Sequence, residues 1–518
     1  MKIFKIFIPL VTIVLLGVSC SKDFTNFKPS TAIIADSAIT SVYNVRAAVN
    51  GLYSLMTNDG YYGRVAILLP DLMADNLYRS RQSGARFTGW SVQSSGSVTT
   101  SDSYASGLWG QLYSVIINAN TIINKAPSLP VTVKDSIELR QLIGEAYAAR
   151  ALAYFDLVRF FSYSYTKMNY NTSTANSTDL GAAIETNSYP NDVSEIVYPI
   201  RSKITDTYAF IENDIASALS FLPATGSVWV EGKIVASLSK IRLNAFSVTA
   251  LAARVYLYEA KYSQAIEAAT TVINSGRYSF LPASTYVNDF CTNKGNSESI
   301  FELANNSYNN QGTNSIAYIF NQDGYGEMLA PDEVYKLYDS TDVRRGFVTL
   351  GKRNSYGGEN PCYVVNKYNN ITNYEENIKL FRLSEMYLIR AEALGYSDFT
   401  SAYNDIKTVA SARNEKLGTA PTTDVTFFPL ILKENRKEFA FEGHRIFDLN
   451  RVHDPSATDN PATTYNFVHY NSQTKTINRF GSFLTSTGAE STTIKLNVLP
   501  IPFSERQRNP LLIQNYKY

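Results

Sequence analysis

A mainly α-helical scaffold carrying a loop-rich, less regular lobe is the fold class this sequence predicts, and three observations predict it. Apolar residues recur at three- and four-residue spacing through most of the chain, the mark of helices with one buried face. Two of the helical blocks share one internal plan. Between the blocks lie polar stretches rich in Ser, Thr, Asn and Gly, at 80–106, 167–194, 288–323, 351–375 and 454–491. Loops of that length in a compact protein are usually functional or carry minor structure of their own.

In chain order, residues 1–19 read as a secretion signal that is removed. Lys2 and Lys5 form a positive start, and 6–18 is an uncharged, mostly apolar run, shorter than the roughly 20 residues a bilayer span needs. Small Gly17 and Ser19 precede Cys20. A Cys directly behind such a run resembles the bacterial lipobox, in which the thiol is acylated and becomes residue one. Each buried methylene of an acyl chain then adds about 0.8 kcal/mol of anchoring. On this reading the mature chain is 20–518.

Helical periodicity marks 42–56 (VYNVRAAVNGLYSLM), 108–125, 137–161, 204–222, 244–275, 378–414 and 428–451. In LAARVYLYEAKYSQAIEAATTVINSG, small Ala253 precedes Ala265 by twelve residues, with Tyr262 before the second helix. That is tetratricopeptide spacing, in which small side chains let two antiparallel helices pack closely. RAEALGYSDFTSAYNDIKTVASARN repeats the plan from Ala391 to Ala402, one residue shorter in the turn. Residues 144–161 read as the first helix of a further unit. The segment 431–451 predicts one helix with Glu434, Glu438 and Glu442 on one face.

Composition excludes several functions. The net charge of +1 leaves no electrostatic footprint for nucleic acid. Beyond Cys20 only Cys291 and Cys362 remain, too few for a disulfide framework. The excess is in rings: 36 Tyr, with aromatics at 13% of the chain. Rings stack on apolar sugar faces and amides bond hydroxyls, so Tyr and Asn in loops suit flat, hydroxyl-rich ligands.

The C-terminal third narrows the reading. ILKENRKEFAFEGHRIFDLNR (431–451) and LPIPFSERQRNPLLIQNYKY (499–518) closely resemble the two signatures of the SusD/RagB family of nutrient-binding outer-membrane lipoproteins. The first is met by Arg436, Glu438, Phe441, Glu442, Gly443, His444, Arg445, Phe447, Asp448, Leu449 and Arg451. The second is met by Ile501, Pro502, Glu505, Asn509, Pro510, Leu512, Gln514, Asn515 and Tyr518. The resemblance implies a single SusD-like domain over 20–518: about four tetratricopeptide-like hairpins, a loop-rich lobe and a few short strands. It implies a non-catalytic surface lipoprotein, lipid-anchored in the outer membrane. Such a protein captures oligosaccharide and hands it to a SusC-like TonB-dependent transporter, as a hinged lid whose repeats contact the barrel. A peptide-binding member of the same family and a surface glycosidase are the alternatives.

Paired carboxylates cleave glycosidic bonds, but Glu434, Glu438 and Glu442 lie among Arg436, Lys437, Arg445 and Arg451, so local salt bridges at three- and four-residue spacing are expected. His444, His453 and His469 show no zinc-site spacing. NQDGYGE (321–327) has oxygen ligands but lacks the D-x-D-x-D-G alternation of a Ca²⁺ loop, so a turn is expected there and no cofactor. Two surface loops, 71–109 and 305–325, are the regions from which the family's glycan binders draw their site. There Trp90 is expected as stacking platform, with Arg81, Asp75 and Tyr308 as polar edges and Asn76 and Tyr325 beside them. On that expectation alanine at Trp90 weakens ligand binding and leaves the melting temperature alone.

Overall fold

Four antiparallel helix pairs, set side by side, take up the apolar stripes of the chain. The computed structural model describes residues 39–515 except 81–85, 88–89, 91–97, 168–178, 191, 292–294, 353–360, 453–466, 472–475 and 481–497. The leader, Cys20, Arg81 and His453 therefore lie outside the described residues. The helices are α1 (Val42–Thr57), α2 (Val65–Leu72), α3 (Ser103–Lys125), α4 (Val133–Phe161), α5 (Ile204–Phe221), α6 (Ala245–Tyr258), α7 (Tyr262–Asn274) and α8 (Tyr286–Phe290). They continue with α9 (Ile316–Phe320), α10 (Asp332–Lys336), α11 (Leu383–Leu394), α12 (Phe399–Ala412), α13 (Asp424–Phe439), α14 (Arg445–Arg451) and α15 (Phe503–Arg508).

The pairs α1–α3, α4–α5, α6–α7 and α11–α12 form the hairpins. Contacts of α3 with α4, α5 with α6, α7 with α11 and α12 with α13 join them into a row. Ala253, Ala265, Ala391 and Ala402 are fully buried, so the small residues sit where helix backbones approach. Tyr262 stacks on Tyr396 at 4.0 Å and ties one repeat to the next. Caps set the boundaries: at α6, Asn244 accepts from the N–H groups of Phe246 and Ser247, and its own N–H donates to the Ser247 hydroxyl at 2.8 Å. Such a box satisfies donors that a helix start leaves open.

Short antiparallel ribbons complete the described fold. Ser299–Leu303 pairs with Ile378–Arg382, and both strands are buried throughout. Helical period predicted a helix from 378. A short apolar run buried on both faces cannot be told from helix by period alone, and the chain turns helical only at Leu383. In the lobe, Tyr78–Arg79 pairs with Met328–Leu329.

Two further expectations are corrected. Residues 71–109 are not one surface loop: every residue of α2 is buried, and Asp75, Asn76 and Ser80 behind it are buried too. A helix apolar all round has no stripe to read. The single helix over 431–451 is two, α13 and α14, separated by a turn with φ +69° at Phe441 and +80° at Gly443. Asp71 holds that turn. Its carboxylate accepts from the N–H of Gly443 at 2.7 Å and of Phe441 at 3.4 Å, and from the Asn76 amide.

Burial pushes the Asp71 carboxyl up to about 7, against the opposing bonds from Asn76, Gly443 and Phe441. Burial also raises Glu376 to about 7 and Asp448 to about 6. A carboxyl whose folded pKa exceeds its unfolded value of about 4 stabilises the fold fully at low pH and loses that contribution as pH rises through the folded value. These three groups therefore lower the urea midpoint as pH rises from about 4 to about 7, and Asp71→Asn should flatten part of the fall. Equal slopes for the variant and the wild type would refute the assignment to Asp71.

The glutamate face is neutralised from afar. Glu434 pairs with Arg344 at 2.6 Å, Glu438 with Arg413 and Arg382 at 2.7 and 2.9 Å, and Glu442 with Lys367 and Arg382 at 2.6 and 2.8 Å. Of the local cations, Lys437 pairs with Glu415 and Arg436 and Arg445 pair with Asp75, whereas Arg451 joins Glu392 and keeps one local pair, with Asp448 at three-residue spacing. The turn at Gly443 takes Glu442 off the helical register on which a pair with Arg445 depended. All three glutamates are buried, which removes this face as a catalytic pair.

Candidate ligand-binding site

Loops, and not the helical row, bring half-buried rings together. Ser315 caps the short α9, which ends in a hydrogen-bonded turn: the Tyr325 N–H donates to the Tyr318 carbonyl at 2.8 Å and the Glu327 N–H to the Ile319 carbonyl at 2.9 Å. The Tyr318 and Tyr325 rings meet edge to face, 4.7 Å apart at 89°. Tyr374 closes on Tyr318 at 5.9 Å. It comes from the loop at 369–374, which the Asn321 amide holds through the Asn369 carbonyl at 3.3 Å.

Charge is placed against these rings with care. The Arg86 guanidinium lies over Tyr325, 3.6 Å from its centroid, a cation–π distance. The same group forks onto Glu327 through Nε at 2.9 Å and Nη2 at 2.8 Å. Next to it Tyr104 stacks on buried Phe87 at 4.1 Å and 16°. Arg64, just before α2, pairs with Asp59 at 2.8 Å and donates to the Asn314 carbonyl. The arrangement offers ring faces and edges, amides and compensated charge. Among its described residues there is no nucleophile held by a base. Among the described residues no group of His, Cys, Asp and Glu is placed to hold a metal.

The structure separates the residues singled out from sequence. Tyr325 lies in the ring cluster. Tyr308 is 99% exposed at the tip of the adjoining Asn306–Asn309 turn, which is fastened to α1 by the Asn309 amide donating to Thr57. Trp90 does not serve as a stacking platform: it is 3% exposed, and its indole N–H donates to Asp102, the residue that caps α3. Asp75 is no polar edge. It is buried between Arg436 and Arg445, at 3.1 and 2.7 Å. Asn76 is buried and bridges Asp71 and Arg436. Segment 321–327 folds as a turn whose Glu327 is committed to Arg86. Cys291 and Cys362 are not joined in a disulfide.

Sequence reading missed Tyr104, Tyr374 and the Glu327 pairing. The signal for Tyr374 was available, since YNNITNY (368–374) has the same Asn-and-Tyr composition as 305–325. Two adjoining grooves of 230 and 440 Å³ run along α3, lined by Tyr113, Tyr189, Tyr198 and the 195–199 segment. Their lining mixes apolar Ile117, Val197 and Leu512 with Asn124, Asn187 and Ser188.

A row of helical hairpins with a ring-bearing loop lobe defines a helical-repeat binding protein. The family model described as "SusD family" matches residues 258–518, and one described as "Starch-binding associating with outer membrane" matches 33–257. The chain belongs to the SusD family. It is 23% identical over 503 residues to SusD-like protein P2 of Formosa agariphila, covering 87% of this chain and 91% of that one. A SusD superfamily protein from Bacteroides vulgatus superimposes with a TM-score of 0.73 at 28% identity, over 93% of this chain and all of the other. A laminarin-binding SusD-like protein has the same fold, with a TM-score of 0.66 at 21% identity and the same coverage.

Proposed function

We propose that the chain is a surface lipoprotein of the outer membrane that captures oligosaccharide on the Tyr318–Tyr325–Tyr374 cluster and passes it to a SusC-like TonB-dependent transporter. The observation that carries the reading is this ring cluster, with Arg86 fixed across Tyr325. Aromatic faces and edges meet the apolar faces of sugar rings, while the neighbouring amides bond hydroxyls. The fold shared with a laminarin-binding protein supports a glycan over a peptide. Acylation at Cys20 supplies the tether, and among the described residues no helix is long and apolar enough to cross a membrane.

Calorimetric titration with a glycan panel and a peptide mixture tests the reading. Wild-type protein should bind one or more glycans and no peptide. Tyr325→Ala should weaken that binding tenfold or more, about 1.4 kcal/mol, with the melting temperature little changed. Trp90→Ala should do the reverse, because truncating a buried Trp costs roughly 3–5 kcal/mol of stability. Peptide binding without glycan binding would overturn the proposal, as would product release from a bound oligosaccharide.

A further inference from the structure

We infer that the lobe takes uncharged oligosaccharide, and that Glu327 sets this preference by neutralising Arg86 at the ring cluster; this rests on the binding function proposed above. Three observations point the same way. Among the described residues, the cation held over the rings is already spent: Arg86 directs both Nε and Nη2 onto the Glu327 carboxylate. Glu327 is 3% exposed on its side chain, so its charge is poorly screened by water. Of the other arginines here, Arg64 pairs with Asp59 through Nη2 at 2.8 Å and Arg79 donates its Nε to the Arg86 carbonyl at 3.0 Å.

The ring-bearing loops themselves add no cation. Residues 305–325 contain one charged side chain, Asp323, and 368–374 contain none. They carry instead a run of amides, among them Asn306, Asn310, Asn314 and Asn321. A uronate or sulfate ester arriving at Tyr325 would meet a guanidinium whose charge is matched and a carboxylate a few ångströms behind it. It would lose hydration without gaining an ion pair. A hydroxyl loses much less on leaving water. It also finds a donor, because the Nη1 edge lies outside the fork to Glu327 and the Arg86 side chain is 34% exposed. Arg86 is thus a rigid, flat, neutralised platform that presents N–H groups, and Glu327 is the residue that decides the ligand's charge.

The test uses the mature protein and two titration panels, uncharged glucan and mannan oligosaccharides against uronate and sulfated oligosaccharides. Wild-type protein should prefer its best uncharged ligand at least tenfold, with an affinity that barely changes with salt. Glu327→Gln should raise uronate or sulfate affinity tenfold or more in a salt-dependent way, and Arg86→Met added to it should abolish the gain. Tighter binding of an acidic glycan by wild-type protein overturns this inference while leaving the binding function intact. A folded Glu327→Gln protein with no gain also overturns it. If that variant does not fold, the wild-type preference and its salt dependence decide. Binding of neither panel removes the binding function, and this inference falls with it.

Discussion

Alanine at Glu438 should cost this protein about 3–5 kcal/mol of stability, the range measured when one partner of a buried ion pair is removed. The carboxylate is fully buried and accepts from three arginines: Arg413 Nη2 at 2.7 Å, Arg382 Nη1 at 2.9 Å and Arg344 Nη1 at 3.1 Å. Those arginines arrive from the end of α12, from the strand before α11 and from the segment before 348, so one carboxylate joins three parts of the fold. Removing it leaves three guanidinium groups buried with fewer counter-charges, and Arg344 and Arg413 have no exposed side-chain surface through which to reach water. Burial pushes the Glu438 carboxyl up, but Arg413 and Arg382 outweigh it and hold it well below the usual carboxylate range. Its stabilisation is therefore present above the unfolded pKa and lost as pH falls through the folded one, opposite in sense to Asp71. Urea unfolding at neutral pH is the measurement. Lys336→Ala, which breaks an exposed pair with Asp332, is the control and should change little. A Glu438→Ala midpoint equal to that control's would show that the network is redundant.

The same network explains what the sequence made legible and what it hid. Long helices with one buried stripe, such as α1 and α5, were read within a residue or two, because tertiary packing and local period agree there. The hairpins at Ala253 and Ala391 were legible because close helix packing demands small residues at fixed spacing. Residues 428–451 misled because the local rule was plausible on its own. Glu442 and Arg445 at three-residue spacing make a pair on a continuous helix, and only the backbone at Gly443 shows that the helix is broken. The site was hidden for a different reason. A solvated Trp in a Gly- and Ser-rich loop and a buried Trp capped by Asp102 are identical in sequence, and burial depends on contacts twelve residues away and more. Tyr325 stays half-buried beside Tyr318 because the residues around it at 321–327 are polar, so a ring there has no core of its own to enter. The pairing of Arg86 with Glu327 spans 241 positions, a distance over which no local pattern operates.

Gly443→Ala should be among the most damaging single-methyl changes in the chain, and it should reach the ligand site. Two costs add. An L-residue at φ +80° loses about 1–2 kcal/mol relative to glycine. The new Cβ would lie 2.6 Å from the Ala66 carbonyl and 3.0 Å from the Ile67 Cα, backbone atoms of α2 that cannot rotate away, and overpacking of that kind costs roughly 1–3 kcal/mol more. Gly276→Ala separates the terms, because Gly276 has φ +63° with nothing within 4 Å of its Cβ. It should show the conformational cost alone. The packing term has a functional consequence. Relief at Gly443 requires α2 to move, and α2 starts at Val65, directly after the Arg64 that pairs with Asp59 and bonds the Asn314 carbonyl beside the ring cluster. Gly443→Ala should therefore lower the urea midpoint well beyond Gly276→Ala and also weaken glycan affinity in the fraction that remains folded. Equal destabilisation by the two variants would mean that α2 yields freely at Ala66, and the turn would then be no brace for the lobe.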